Sequence, residues 1–135
     1  MKLHVIDCGN FMIDGGALFG VIPKTMWEKV YPANEKNLCN IVMRSLLVDT
    51  GERKILIDSG AGNKQDASFF KYDYRNGEGE LIKSIALAGY SPEDITDVVH
   101  THLHYDHCGG TLKKLDDGSI VSAFPKANLW VSKTH

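Results

Sequence analysis

Three histidines and an aspartate lie within six consecutive positions, and these are the residues whose types and spacing could do chemistry. Residues 101–110 read Thr-His-Leu-His-Tyr-Asp-His-Cys-Gly-Gly, which brings together His102, His104, Asp106 and His107. Neutral imidazole and carboxylate are ligands that Zn²⁺, Fe²⁺ and Mn²⁺ accept in proteins. The segment therefore predicts a metal site.

The spacing of the four residues indicates how they approach a metal. Side chains two positions apart on an extended chain point to one face, so His102 and His104 are expected to leave the end of a strand together. The turn that follows brings Asp106 and His107 from a different side, and two pairs of ligands from different sides suit two adjacent metals. The Gly-Gly pair that comes next lets the backbone pass close to the site.

Predicted strands and one helix must position this segment. Apolar runs bounded by turn signals predict strands at residues 3–8, 41–49, 54–58, 97–101 and 128–132, and an apolar stripe at residues 80–88 predicts a helix. Two connections are expected, at residues 9–37 and 59–79, and the aromatic side chains of the second suit a surface loop or a pocket wall. The order of elements predicts an α/β (α+β) fold in which helices cover one face of a sheet.

Composition narrows the classes of function. The chain has 135 residues and a net charge of -2. This charge does not favour binding to nucleic acid or to an anionic membrane. No apolar run approaches the roughly 20 residues of a membrane span. Three cysteines without a CxxC pair are typical of a reduced chain, which predicts a cytoplasmic location.

Three segments resemble the metallo-β-lactamase superfamily of metal-dependent hydrolases. Residues 102–107 resemble its HxHxDH motif, and residues 55–60, Ile-Leu-Ile-Asp-Ser-Gly, resemble its upstream strand that ends in aspartate and glycine. Residues 14–20, Asp-Gly-Gly-Ala-Leu-Phe-Gly, resemble the subgroup that contains quorum-quenching lactonases and methyl parathion hydrolase. The family's later metal ligands have no matching motif here. The resemblance therefore implies an αββα sandwich of which residues 1–135 form the N-terminal sheet-plus-helix half.

The resemblance also implies roles for individual residues. His102 and His104 would bind the first of two zinc ions and Asp106 and His107 the second, with iron or manganese as alternatives. Metal-bound water has a pKa near ~7, and the hydroxide would attack a small-molecule lactone, ester or phosphotriester. Asp106 is also expected to orient that hydroxide. Asp58 is expected to hold the outer N–H of a histidine ligand, the alternative being an ordinary strand-end cap.

Several alternatives remain open at the level of sequence. The same fold could carry out thioester hydrolysis or sulfur oxidation, or the chain could be an inactive half that acts only with a complementary half. Asp14 fits either a site-lining carboxylate or the corner of an Asp-Gly-Gly turn. His100 is assigned to packing or to supporting a ligand rather than to ligation, and His135 is assigned to the surface.

The predicted strands also indicate that the chain has a partner. The strands at residues 41–58 and 97–101 are apolar on both faces, which is typical of a sheet covered on each side. One short helix can cover only one of these faces. A complementary C-terminal half, or a second copy in a homodimer, is therefore expected to cover the other face.

Overall fold

A five-stranded mixed sheet forms the body of the molecule. The computed structural model describes residues 1–134, so the surface assignment of His135 lies outside the described residues. The elements in chain order are β1 (Lys2–Asp14), α1 (Gly15–Phe19), α2 (Lys24–Trp27), β2 (Leu38–Asp49), β3 (Lys54–Ile57), α3 (Leu81–Leu87), β4 (Asp97–Val99), α4 (Tyr105–Cys108), β5 (Leu112–Lys114), β6 (Ile120–Ser122) and β7 (Asn128–Trp130). The sheet order is β1-β2-β3-β4-β7, and β5 pairs separately with β6.

The pairing directions follow from the connections. β1 pairs antiparallel with β2, and β2 pairs antiparallel with β3 across a tight turn at residues 50–53. The β3–β4 and β4–β7 pairs are parallel, and α3 lies in the long crossover that the first parallel pair needs. The five predicted strands and the predicted helix are all present, although the strands at 97–101 and 128–132 end earlier, at Val99 and Trp130. No helix in residues 1–134 is long and apolar enough to cross a membrane.

The prediction that residues 9–37 form one long connection is wrong. β1 continues to Asp14, and its pairing register with β2 shifts between Asp7 and Asn10. Gly9 lies at this shift with φ 88°, a left-handed conformation that suits the extra residue of a β-bulge. The Gly-Asn pair therefore marks a bulge rather than a turn, and only residues 15–37, which contain α1 and α2, connect β1 to β2.

One face of the sheet carries the hydrophobic core. Alternate side chains of β2 point to this face, and Met43 and Leu47 among them are buried. From the crossover, α3 contributes buried Leu81 and Ile85 to the same cluster. Full burial of such a side chain stabilises the fold by roughly 1.5–3 kcal/mol. The core therefore holds α3, and with it the crossover, against the strands that lead into the predicted metal site.

The opposite face of the sheet is apolar, and the buried core cluster of the described residues, which includes α3, does not lie on it. One continuous row crosses all five strands through the paired residues Val5, Leu46, Ile57, Val99 and Trp130. The three central side chains are half-buried, whereas Val5 is 70% exposed and Trp130 51% exposed. The described chain therefore covers one face of its sheet and leaves the other open, as the sequence predicts.

Candidate metal centre

The parallel pair β3–β4 brings the two functional loops to one edge of the sheet. Ile57 of β3 pairs with Val99 of β4, so both strands end side by side. The backbone N–H of Asp58 then donates to the Val99 carbonyl over 2.9 Å. Residues that follow neighbouring parallel strands meet in the crevice beyond their carboxyl ends. Asp58 and the segment that begins at His100 are placed together for this reason.

A short helical turn and two glycines hold the second part of the predicted site. α4 begins after His104, whose carbonyl accepts from the backbone N–H of His107 over 3.0 Å. The following Gly109 and Gly110 pack directly on the backbone of residues 59–61, where an added Cβ would overlap a carbonyl oxygen. The expectation that this Gly-Gly pair permits close backbone passage is confirmed.

Asp58 is the hydrogen-bonding centre of the site. It is 8% exposed and adopts a left-handed backbone conformation with φ 59°, which aspartate tolerates better than most residues. Its carboxylate accepts from the Thr101 backbone N–H over 2.9 Å, from the Thr101 hydroxyl over 2.9 and 3.1 Å, and from Nδ1 of His107 over 2.9 Å. Burial raises the pKa of Asp58, but hydrogen bonds from His107 and Thr101 outweigh it and hold the pKa below its ordinary value.

The predicted ligands form a cluster at the surface. The ring centroid of His102 lies 4.7 Å from that of His104 and 4.0 Å from that of His107. Oδ2 of Asp106 lies 3.3 Å from Nε2 of His107. His104 is exposed and the other three side chains are half-buried. Within residues 1–134, no three His, Cys, Asp or Glu side chains have their donor atoms arranged to hold a metal ion. The predicted ligands are therefore neighbours, but their donor atoms do not converge on one point.

The contacts of His107 fit a metal ion. An ionised Asp58 has no proton to donate, so Nδ1 of His107 must be the donor in their contact, and Nε2 of a neutral ring then carries a lone pair. That lone pair faces a second acceptor, Oδ2 of Asp106, at 3.3 Å. Two acceptors at this distance repel unless a cation lies between them, either a proton or a metal. Imidazole nitrogen and carboxylate oxygen are ligands for Zn²⁺, Fe²⁺ and Mn²⁺, so the residues fit the predicted group.

Two clefts adjoin the cluster and share Phe11. The first has a volume of about 260 Å³ and is lined by Asp58, Asp106 and His107 together with Arg44 and apolar residues of β2. The second has a volume of about 340 Å³ and is lined mainly by apolar and aromatic side chains of β1, residues 72–74 and α4. Residues 59–79 are therefore partly a pocket wall. The arrangement places an apolar groove beside the predicted ligands.

Tyr105 joins the turn that carries Asp106 and His107 to the wall of the second cleft. Its hydroxyl donates to Asp73 over 2.8 Å, and its ring packs edge-on against Phe69 with centroids 5.4 Å apart. Burial raises the pKa of Tyr105, and the hydrogen bond to Asp73 raises it further. The phenol therefore stays neutral over the ordinary pH range and keeps its hydrogen bond to Asp73.

Asp14 and His100 both lie near the predicted site. Asp14 is the N-cap of α1, where it accepts from the Gly16 N–H over 2.7 Å, and it also lines the second cleft, so both open alternatives hold. His100 is 8% exposed and its Nε2 lies 3.1 Å from the Thr111 hydroxyl, which agrees with a packing role. Burial lowers the pKa of His100.

Sequence reasoning missed Thr101 and Tyr105. Thr101 contacts Asp58 and also lies 3.0 Å from Nδ1 of His102. Its signal in the sequence was a hydroxyl directly before the first histidine of the motif. Tyr105 lies between two predicted ligands, at a position where the ligand spacing does not specify a residue type. Its aromatic side chain is the one signal in the sequence for a place in a pocket wall.

One family model and two solved structures match this chain. A model of the Metallo-beta-lactamase superfamily matches residues 44–122. A probable metal-dependent hydrolase from Staphylococcus aureus has a TM-score of 0.84 at 34% identity, over 95% of this chain and 45% of that chain. The dizinc quorum-quenching lactonase AidC, solved with a product, has a TM-score of 0.72 at 29% identity, over 98% of this chain and 44% of that chain.

Relatives with an assigned activity are also similar in sequence. An N-acyl homoserine lactonase from Bacillus cereus is 25% identical over 119 residues, which cover 81% of this chain and 43% of the relative. The chain therefore spans a little less than half the length of the relatives that it matches.

Proposed function

Because the chain belongs to the metallo-beta-lactamase superfamily, we propose that it carries half of the active site of a hydrolase that holds two metal ions, with zinc as the metal. His102 and His104 would hold one ion, and Asp106 and His107 the other. The observation that carries this proposal is the cluster of three imidazoles and one carboxylate, in which the His107 ring contacts the buried carboxylate of Asp58 through Nδ1. At such a site a metal ion lowers the pKa of bound water to ~7 and polarises the substrate oxygen.

The protein side chains supply orientation and proton handling in this proposal. Asp58 holds the His107 ring through Nδ1 and so aims the opposite nitrogen at the metal. Asp106 has two carboxylate oxygens, one for a metal and one that can accept a proton from the attacking water. The Tyr105 phenol stays protonated and donates its hydrogen to Asp73, so its oxygen can accept a hydrogen bond from a substrate in the groove.

The clefts favour a small substrate with an apolar substituent. A strained or activated ester would lie next to Asp106 and His107, and the groove along Phe11 and Tyr105 would accept an aliphatic chain. A lactone with an acyl side chain combines both features, and the relatives named as N-acyl homoserine lactonases support this choice. Phosphotriester hydrolysis is the second candidate, since a metal-activated water can attack phosphorus as well as carbon.

We further propose that a complementary polypeptide completes the fold. The open apolar face of the sheet needs a cover, and the relatives contain about as much chain again as the part matched here. A complementary half suits this face better than a second copy because it could also supply the family's remaining metal ligands. Free Cys8, Cys39 and Cys108 support a reducing compartment, and we place the protein in the cytoplasm.

One experiment tests the activity. The purified protein, with any polypeptide that accompanies it, is stripped of metal, reloaded with zinc and assayed on a short- and a long-chain acyl lactone, an aryl phosphotriester and a thioester. We expect lactone hydrolysis that depends on zinc and a KM that falls as the acyl chain lengthens. The Asp106→Asn variant should lose turnover. Thioester hydrolysis alone, or no zinc-dependent turnover of any of the four, would contradict the proposal.

A further inference from the structure

The hydroxyl of Thr101 lies between the buried carboxylate of Asp58 and the first predicted metal ligand. Its Oγ1 is 2.9 Å from Oδ2 of Asp58 and 3.1 Å from Oδ1. The same Oγ1 is 3.0 Å from Nδ1 of His102. A single hydroxyl thus connects the acidic centre of the site to a second histidine, in addition to the His107 ring that Asp58 contacts directly.

The hydrogens and lone pairs that each of these groups carries fix the direction of each hydrogen bond. A threonine hydroxyl has one hydrogen and two lone pairs, and an ionised carboxylate has only acceptors. The hydrogen of Thr101 therefore goes to Asp58, and the oxygen of Thr101 can only accept from His102. It follows that Nδ1 of His102 carries the hydrogen, which places the lone pair of the neutral ring on Nε2.

The same reasoning applied to His107 gives the same tautomer. Nδ1 of His107 lies 2.9 Å from Oδ2 of Asp58 and must be the donor. One carboxylate therefore controls two imidazoles, one directly and one through a hydroxyl. The backbone supports this arrangement, because the Thr101 N–H also donates to Asp58 over 2.9 Å and fixes the position of the residue.

We propose that Thr101 is a positioning residue for His102. Its hydroxyl donates to Asp58 and therefore accepts from Nδ1 of His102, so that His102 and His107 both present Nε2 to a metal ion. This inference deepens the proposed function and rests on the metal site at its centre. It assigns Thr101 no contact with substrate. Without the hydroxyl, His102 would be able to carry its hydrogen on Nε2, the nitrogen that must be unprotonated to bind a metal ion.

The test uses isosteric and conservative variants. Thr101→Val removes the hydroxyl and keeps the backbone N–H, and Thr101→Ser keeps the hydroxyl. Thr96→Val is the matched control, since Thr96 also bonds an aspartate and backbone groups but lies at the other end of β4. Thermal unfolding of Thr101→Val and Thr96→Val shows whether either loss of a hydroxyl disrupts the fold.

The first readout is the tautomer of each histidine in the metal-free protein, from long-range ¹H–¹⁵N correlation spectra above the pH at which imidazole titrates. We expect Nδ1–H for His102 and His107 in the wild-type protein, in Thr101→Ser and in Thr96→Val. In Thr101→Val, His102 should gain Nε2–H while His107 is unchanged. A wild-type His102 with its hydrogen on Nε2, or a Thr101→Val spectrum like that of the wild type, would overturn the inference.

The second readout is the affinity for zinc alone, measured by competition with a chromophoric chelator. Loss of a group that orients a metal ligand weakens binding by roughly 10–100-fold, so we expect a drop of at least about tenfold for Thr101→Val and recovery in Thr101→Ser. Equal zinc affinities for Val and Ser at position 101 would refute the positioning role. Because neither readout uses a substrate, a wrong assignment of the reaction appears separately, as missing lactone hydrolysis with the expected tautomers.

Discussion

Replacing Asp58 by asparagine should weaken metal binding while leaving the backbone in place. Asparagine adopts the left-handed conformation that position 58 requires at φ 59°. Its carbonyl oxygen can still accept from the Thr101 N–H, but its amide group would then face Nδ1–H of His107, which donates to Oδ2 in the wild-type protein. Two donors would meet, so the His107 ring would have to rotate or move its hydrogen to Nε2.

The size of the effect follows from that single lost acceptor. A buried donor left without a partner costs about 1–3 kcal/mol. If the whole cost weakens metal binding, the dissociation constant for zinc rises roughly 10–100-fold, at about 1.4 kcal/mol for each factor of ten. We expect a zinc affinity lower by that factor in Asp58→Asn, measured by chelator competition. A variant that binds zinc as tightly as the wild type would return Asp58 to the role of a strand-end cap.

Asp49→Asn is the matched control for this experiment. Asp49 accepts hydrogen bonds from Tyr90 over 2.7 Å and from the Gly51 N–H over 2.7 Å, and it pairs with Lys54, at the opposite end of the sheet from the predicted metal ligands. Its pKa is also held below the ordinary value, first by the hydrogen bond from Tyr90. Loss of this carboxylate should reduce stability and leave zinc affinity unchanged.

The pH dependence of stability gives the same experiment a second readout. The folded-state pKa of Asp58 lies below 3.8, so its charge contributes stability that is fully present above that value and is lost as pH falls through the lower folded pKa. The difference in unfolding free energy between wild type and Asp58→Asn should therefore shrink as pH falls below about pH 4. A difference that does not shrink in this range would contradict the lowered pKa.

Three further predictions concern other parts of the molecule. Gly110→Ala should destabilise the fold by about 1–3 kcal/mol or prevent folding, because its Cβ would overlap a backbone carbonyl, and chemical denaturation measures this. In an absorbance titration Tyr90 and Tyr105 should ionise above the ordinary pKa of about 10, and the stability that their neutral forms contribute should be lost as pH rises through the raised values. Val5→Lys should impair association with a complementary half in sedimentation experiments, whereas Val21→Lys, at a fully exposed site away from the sheet, should not; equal association of both variants would contradict the assigned interface.

The spatial grouping of the predicted ligands could be predicted from the sequence. Four ligand-type residues with strand-then-turn spacing predict their own grouping, and the glycines after them predict a close backbone approach, which the packing of Gly110 confirms. The family resemblance is confirmed by the match to residues 44–122. Strands with buried alternate positions, such as Leu38–Asp49, were located because their pattern reflects the core that they face.

Features that depend on distant pairing could not be read in this way. Gly9 and Asn10 have the composition of a turn, and only the partner strand decides that the chain continues through a bulge. The β5–β6 hairpin contains equal numbers of apolar and polar residues and is mostly exposed, so it leaves no burial pattern. Thr101 acquires its role from Asp58, which lies 43 positions earlier in the chain. Contacts of this kind appear only once the parallel pair is formed.

The most direct test of the central claim is anomalous X-ray diffraction at the zinc edge from crystals of the purified protein grown with zinc. We expect two adjacent anomalous peaks, one about 2.0–2.1 Å from Nε2 of His102 and the other at the same distance from Nε2 of His107. The Nδ1 atoms of the two rings should contact Thr101 and Asp58. A peak bound through Nδ1 of either ring, or zinc bound elsewhere with this cluster empty, would contradict the account.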